Sequence, residues 1–160
     1  MHIRKATSAD ASLLARVYAA SFAAAYARIL DEDALEGFTP RRAEERIRRS
    51  LKSGARIFAA VHKRDGIVGF ISIVSSDGSL LDYSHAIEMH YVSPEFHARG
   101  LGRRLLEQAC GEIPGKALAI WLPTRLRACG FYEHLGAKKL GTRPTTVEGK
   151  ALEASAWGLA

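Results

Sequence analysis

The sequence predicts a single mixed α/β (α+β) domain covering residues 1–160. Three observations lead there. The hydrophobic pattern switches repeatedly between a period of two and a period of 3.6, so strands and helices alternate along the chain. No linker rich in Pro, Ser or Gly and no internal repeat divides it. Its 160 residues, 48% apolar and 25% charged, suffice to bury one core without disulfide or metal staples.

Residues 2–6 alternate as a short strand. Ser8 offers an N-cap for a helix over 9–22, with Leu13, Leu14, Val17 and Tyr18 on one face. A loosely helical stretch over 24–30 leads to the acidic run Asp31, Glu32, Asp33 and Glu36, closed by Gly37. Thr39 and Pro40 read as N-cap and first residue of an amphipathic helix over 41–52, whose Ile47 and Leu51 stand four apart among charges. Two apolar β-branched runs, 56–62 and 67–74, are separated by a short turn and form a hairpin. After a loop around 75–79, residues 86–92 are the next strand, stopped by Ser93 and Pro94. A helix over 100–111, a strand over 116–122 and a helix over 124–135 ended by Gly136 follow. Residues 137–142 and 151–158 supply the last strands.

Composition excludes several function classes. The longest apolar runs, 67–74 and 117–123, fall far short of the roughly 20 residues that span a bilayer, so no membrane segment is expected. Residues 1–10 carry charge with no apolar block and cleavage site behind them, which argues against a secretory signal and makes the cytoplasm the expected compartment. Cys110 and Cys129 form no Cys-x-x-Cys pair and read as packing thiols. His62, His85 and His134 lack metal-ligand spacing, so no metal is expected. Trp121 and Trp157 read as packing residues. The net charge of +6 favours a polyanionic partner, either a nucleic acid or an anionic cofactor. The cations gather in 41–52, 99–104 and 138–143, and of these clusters only the second adjoins a glycine-bearing turn.

That turn carries the strongest local signal. In the run Tyr91-Val92-Ser93-Pro94-Glu95-Phe96-His97-Ala98-Arg99-Gly100-Leu101-Gly102-Arg103-Arg104 a strand ends and glycines open a helix. The first amides of a helix have no intrahelical partner, the helix dipole adds positive charge there, and glycine lets a phosphate approach the main chain. Arg99, Arg103 and Arg104 reinforce the charge. No Gly-Lys-Ser/Thr follows, which excludes a Walker loop, and the glycine spacing is not the Rossmann fingerprint.

Val92-Ser93-Pro94, the run His97 to Gly102, and Gly130-Phe131-Tyr132-Glu133-His134-Leu135-Gly136-Ala137 resemble the signatures of the GNAT superfamily of N-acetyltransferases, about thirty residues apart as in that family. The resemblance covers essentially the whole chain. It implies a mixed, mostly antiparallel sheet of six to seven strands flanked by about four helices, with acetyl-CoA as cosubstrate and no metal. The cofactor's diphosphate would lie on His97, Ala98, Arg99, Gly100, Leu101, Gly102, Arg103 and Arg104, with His97 where the family usually has Gln or Arg. Thr124 and Arg125 stand where the family commonly has Asn, and Arg125 is the candidate contact there. Pantetheine would pair with the main chain near Tyr91 and Val92 as an added strand does, and a backbone N–H near 89–91 would polarise the thioester carbonyl.

The resemblance also implies the chemistry. A lysine-like ammonium has a pKa of about 10.4, so attack on the thioester needs a base. Glu88 is the first candidate and His90 the second, alone or as a relay, since strand alternation places both on one face. Tyr132 matches the family tyrosine that donates to the departing CoA sulfur. Neither cysteine has an adjacent base, so transfer is expected to be direct. The acceptor is expected to be an amine, and the acidic run at 31–36 favours a cationic one. The last strands pair between subunits in similar proteins, so a monomer or a homodimer is expected. Two rival readings are a CoA-binding sensor or partner subunit without catalysis, and a basic RNA- or ribosome-associated module using 41–52. The nucleic-acid reading is the weaker, because charge flanking Ile47 and Leu51 is the usual solvated face of a helix.

Overall fold

The computed structural model describes residues 1–80 and 82–159. In chain order the elements are β1 (His2–Lys5), α1 (Ala11–Tyr26), α2 (Glu32–Gly37), α3 (Pro40–Lys52), β2 (Arg56–His62), β3 (Gly66–Ser75), β4 (His85–Val92), α4 (Leu101–Gly111), β5 (Leu118–Pro123), α5 (Ala128–His134), β6 (Lys138–Val147) and β7 (Lys150–Leu159). The strands form one seven-stranded sheet in the order β1-β2-β3-β4-β5-β7-β6. It is antiparallel throughout except where β4 and β5 run parallel.

Strand alternation sends neighbouring side chains to two separate cores. On β3, Phe70 packs with Leu14, Val17 and Tyr18 of α1 and Ile47 of α3, whereas Ile71 packs with Leu105 of α4 and Tyr132 of α5. Helices α1 to α3 therefore cover one face and α4 and α5 the other. Close contact on the second face depends on Gly69: a Cβ there would stand 3.2 Å from the Tyr91 carbonyl oxygen and 3.3 Å from Leu105.

Several expected boundaries move, each for a tertiary reason. The first helix is not capped by Ser8. A tight turn over Ser8–Asp10 precedes α1, and the Asp10 carboxylate accepts from the Thr7 amide at 2.9 Å and from both terminal nitrogens of Arg4 at 2.9 Å. Arg4 holds that carboxyl down to about 2. The helix then continues through the stretch expected to be loose, to Tyr26, with Leu13 exposed rather than packed. The acidic run is a short helix, α2, whose Asp31 accepts from the Ala34 amide at 2.8 Å. The helix expected from Thr124 starts at Ala128, because the Thr124 amide bonds the Glu153 carbonyl at 2.9 Å and prolongs the β5–β7 ladder. The last two strands are longer than expected and form a hairpin turning at Glu148 and Gly149, both with positive φ.

The seam between β4 and β5 positions the site. Only His85 with Leu118 and Ala86 with Ala119 pair across it among the described residues. From Ile87 onward the strands diverge, leaving one edge of β4 open.

Candidate active site

A bulge in β4 overturns the expectation that Glu88 and His90 share a face. Met89 pairs with Ser72 and Ile87 pairs with Ile73, so Glu88 is an extra residue with no partner on β3. Alternation is broken there. Ile87 joins the core under α4 and α5, Glu88 and Met89 both turn toward α1 and α3, and His90 returns to the α4 and α5 side. The exposed Glu88 carboxylate accepts a hydrogen bond from the Ser50 hydroxyl of α3. Glu88 and His90 therefore project from opposite faces of the strand, each held by a different helix.

At the far end of β4, Ser93 and Pro94 lead into a turn over Pro94–Phe96 and then the loop before α4. Ala98 (φ 60°) and Gly100 (φ 73°) are both left-handed, and Gly100 is the N-cap of α4. Alternation of this kind aims successive amides into a common concavity. The first bond of the helix runs from the Arg104 amide to the Gly100 carbonyl, so the amides of Leu101, Gly102 and Arg103 have no partner within the helix. Arg103 is tied to Glu107 at 2.9 Å, and Arg99 lies over the Phe96 ring at 4.8 Å. At Gly102 a Cβ would point inward, 3.5 Å from the Phe131 ring and 3.8 Å from His90 Nε2. The His97 side chain turns back on the strand, where Nε2 donates to the Val92 carbonyl at 2.8 Å. That carbonyl also accepts from the Ser21 hydroxyl of α1 at 3.1 Å.

Tyr132 and His90 meet beneath this loop. The phenol oxygen is 2.5 Å from His90 Nδ1, and His90 Nε2 is 2.9 Å from the Gly102 carbonyl oxygen. Burial lowers the imidazole to about 4, so the ring is neutral at pH 7, and burial likewise raises the Tyr132 phenol. His90 is thus unsuited to hold a proton taken from an ammonium group. On the opposite face Tyr91 stacks on Tyr18 with ring centroids 4.8 Å apart. Arg125 is exposed in the turn ahead of α5, whereas Thr124 is bonded to Glu153 and Ser155. No cluster of three or more His, Cys, Asp or Glu side chains among the described residues could hold a metal ion.

The model of the acetyltransferase (GNAT) family matches residues 23–137. The chain belongs to the GNAT acetyltransferase family. Its fold is shared by solved structures of low sequence identity. One is a GCN5-related N-acetyltransferase from Rhodopseudomonas palustris, 21% identical, with a TM-score of 0.74, covering 98% of this chain and 93% of that one. Another is the PaiA N-acetyltransferase of Thermoplasma acidophilum in complex with coenzyme A, 18% identical, with a TM-score of 0.67 and 96% of each chain covered. A third is YncA from Salmonella typhimurium with acetyl-CoA, 19% identical, with a TM-score of 0.67, covering 99% of this chain and 92% of that one. No curated protein sequence matches the chain significantly.

Within this GNAT fold, the site has members that sequence reasoning missed. Ser50 and Ser21 each bond a β4 group from a different helix, and small polar residues among charged or apolar neighbours give no advance sign of that. Glu148, at the β6–β7 turn, accepts from Arg42 and Arg46 of α3, both at 2.8 Å, and its side chain is only 7% exposed. Arg48 holds Glu44 and Arg41 reaches Glu45. Four of the six cations on the basic helix therefore pair with carboxylates. No helix among the described residues is long and apolar enough to cross a membrane.

Proposed function

We propose that this protein moves the acetyl group of acetyl-CoA to a primary amine of a small molecule or peptide, by direct attack within a ternary complex. The observation that carries this reading is the two-rung seam between β4 and β5, with the amide-lined start of α4 at its open end. A diphosphate fits the amides of Leu101, Gly102 and Arg103, with Arg99, Arg103 and Arg104 adding charge and the left-handed Ala98 and Gly100 shaping the loop. Pantetheine fits the open edge of β4 at Tyr91 and Val92, where it would compete with Ser21 and His97 for the Val92 carbonyl. Arg125 is close in sequence to Thr124 in the turn ahead of α5 and is free to reach the pantetheine from there.

The acceptor approaches from the α1 and α3 face. Glu88, placed there by the bulge, takes the ammonium proton directly or through water. The amine nitrogen then bonds the thioester carbon, and amides near residues 89–91 stabilise the oxyanion, each such donor being worth about 3 kcal/mol. Collapse breaks the C–S bond, and the electron pair leaves on the CoA sulfur beside Tyr132. Asp31 is engaged in capping α2, while Glu32, Asp33 and Glu36 remain exposed and favour a cationic acceptor.

Calorimetry with acetyl-CoA, followed by thiol release in the presence of an amine panel, tests this reading. Binding together with amine-dependent thiol release is expected, and absence of binding would overturn it. Binding without transfer to any amine would instead favour a CoA-binding sensor or partner subunit. The inward turn of His97 onto Val92 is the observation that keeps that second reading in view.

A further inference from the structure

Tyr132 is 1% exposed, and a phenol enclosed to that degree needs a hydrogen-bond partner. His90 supplies it, and the far side of the imidazole fixes the direction of the bond. A carbonyl oxygen only accepts, so the nitrogen facing Gly102, Nε2, carries the ring hydrogen. Nδ1 of the neutral ring is then a bare lone pair, and the Tyr132 hydroxyl donates into it. Edge contacts with Phe131 at 5.7 Å and Tyr132 at 5.9 Å hold the plane of the ring. One imidazole thus joins the first turn of α4, at Gly102, to the phenol of Tyr132 on α5, the two places that the proposed function gives to the diphosphate and to the sulfur.

We propose that His90 is a positioning residue that parks the Tyr132 hydroxyl on Nδ1 until negative charge appears on the sulfur; this rests on the acetyltransferase reading. A neutral thioester sulfur is a poor acceptor and leaves the hydroxyl on His90. A thiolate is a charged acceptor, and hydrogen bonds to charged acceptors are roughly twice as strong as neutral ones. The hydroxyl therefore turns to the sulfur only as the C–S bond breaks, so that its stabilisation falls on the transition state rather than the bound substrate. No proton leaves Tyr132. The phenol, raised by burial, keeps its hydrogen, the electron pair of the broken bond stays on sulfur, and the thiolate takes its proton from solvent.

Two measurements test the proposal. Nitrogen NMR of imidazole-labelled wild-type protein at pH 7 should show His90 with hydrogen on Nε2 and a bare Nδ1, the Nδ1 signal moving in Tyr132→Phe. Hydrogen on Nδ1, or an imidazolium, would overturn it. In steady-state kinetics, His90→Leu should lower kcat about tenfold or more while the acetyl-CoA KM stays within about threefold, and the loss should disappear in a Tyr132→Phe background. An unchanged kcat, or losses that multiply independently, would overturn it. Titration with CoA itself separates this from failure of the acetyltransferase reading. CoA that binds and shifts the His90 nitrogens supports coupling through Gly102 even if no amine is acetylated. CoA that binds and leaves them unmoved overturns the proposal, and a protein that does not bind CoA loses both.

Discussion

Glu88 and His90 stand two residues apart on β4 yet serve opposite faces of the sheet, Glu88 bonded to Ser50 on α3 and His90 to Tyr132 on α5. The bulge that separates them puts the two side chains on opposite faces, and under the proposed mechanism base chemistry falls to the α1 and α3 face and sulfur chemistry to the other. Glu88→Gln keeps the shape and an oxygen for the Ser50 hydroxyl while removing the proposed base. With a working acceptor it should lower kcat about 100-fold or more, with the acetyl-CoA KM within about threefold. Steady-state kinetics at saturating acceptor checks this, and an unaltered kcat would take Glu88 out of the mechanism.

Burying His90 in its neutral form makes stability depend on pH. The folded-state value of about 4 lies below the ordinary value of about 6.5, so the unfolded chain binds the proton first. The stability associated with neutral His90 is fully present above pH 6.5 and declines as pH falls toward 4, by at most about 3 kcal/mol, an upper bound because the ring keeps some solvent contact. Urea unfolding at pH 7 and pH 5 should show the decline, and His90→Leu should flatten it across that window.

The two glycines of the α4 loop should respond differently. Gly100 has φ 73°, and Gly100→Ala should cost about 1 kcal/mol and weaken CoA binding by distorting the helix entry. Gly102 lacks positive φ, and its Cβ would make ordinary contacts with Phe131 and His90, so Gly102→Ala should leave CoA affinity within about twofold. Thermal melts and calorimetry on the two variants decide the matter, and the reverse ranking would contradict the loop geometry.

At the β6–β7 turn, Glu148→Gln leaves the guanidiniums of Arg42 and Arg46 side by side without their shared carboxylate. Both arginines are about 40% exposed, so screening limits the loss to about 1 kcal/mol, and it should shrink in 1 M salt. Chemical unfolding at low and high salt measures both quantities.

What the sequence made legible was local chemistry. The hairpin of β2 and β3 follows from β-branched runs punctuated by Gly66, and the start of α3 from Thr39 and Pro40, with Thr39 accepting from the Arg42 amide at 3.3 Å. The motif around Gly100 lies where a strand hands over to a helix, as its glycines require. What stayed hidden was set by partners distant in the chain. Nothing within residues 85–92 announces the bulge, because its register is imposed by Ser72 and Ile73. Thr124 is drawn out of its expected helix by Glu153, and Asp10 is recruited as a helix-start acceptor by Arg4. For the same reason the link between His90 and Tyr132, 42 residues apart, could not be read from spacing.

The two-rung contact between β4 and β5 also bears on how the molecule comes apart. Five other ladders knit the strands on either side of it, so hydrogen bonding divides the sheet into two plates joined by a narrow weld. Anything that lodges between the plates and satisfies the peptide groups of β4 acts as mortar, and amide hydrogens flanking that gap should slow their exchange before any others in the protein.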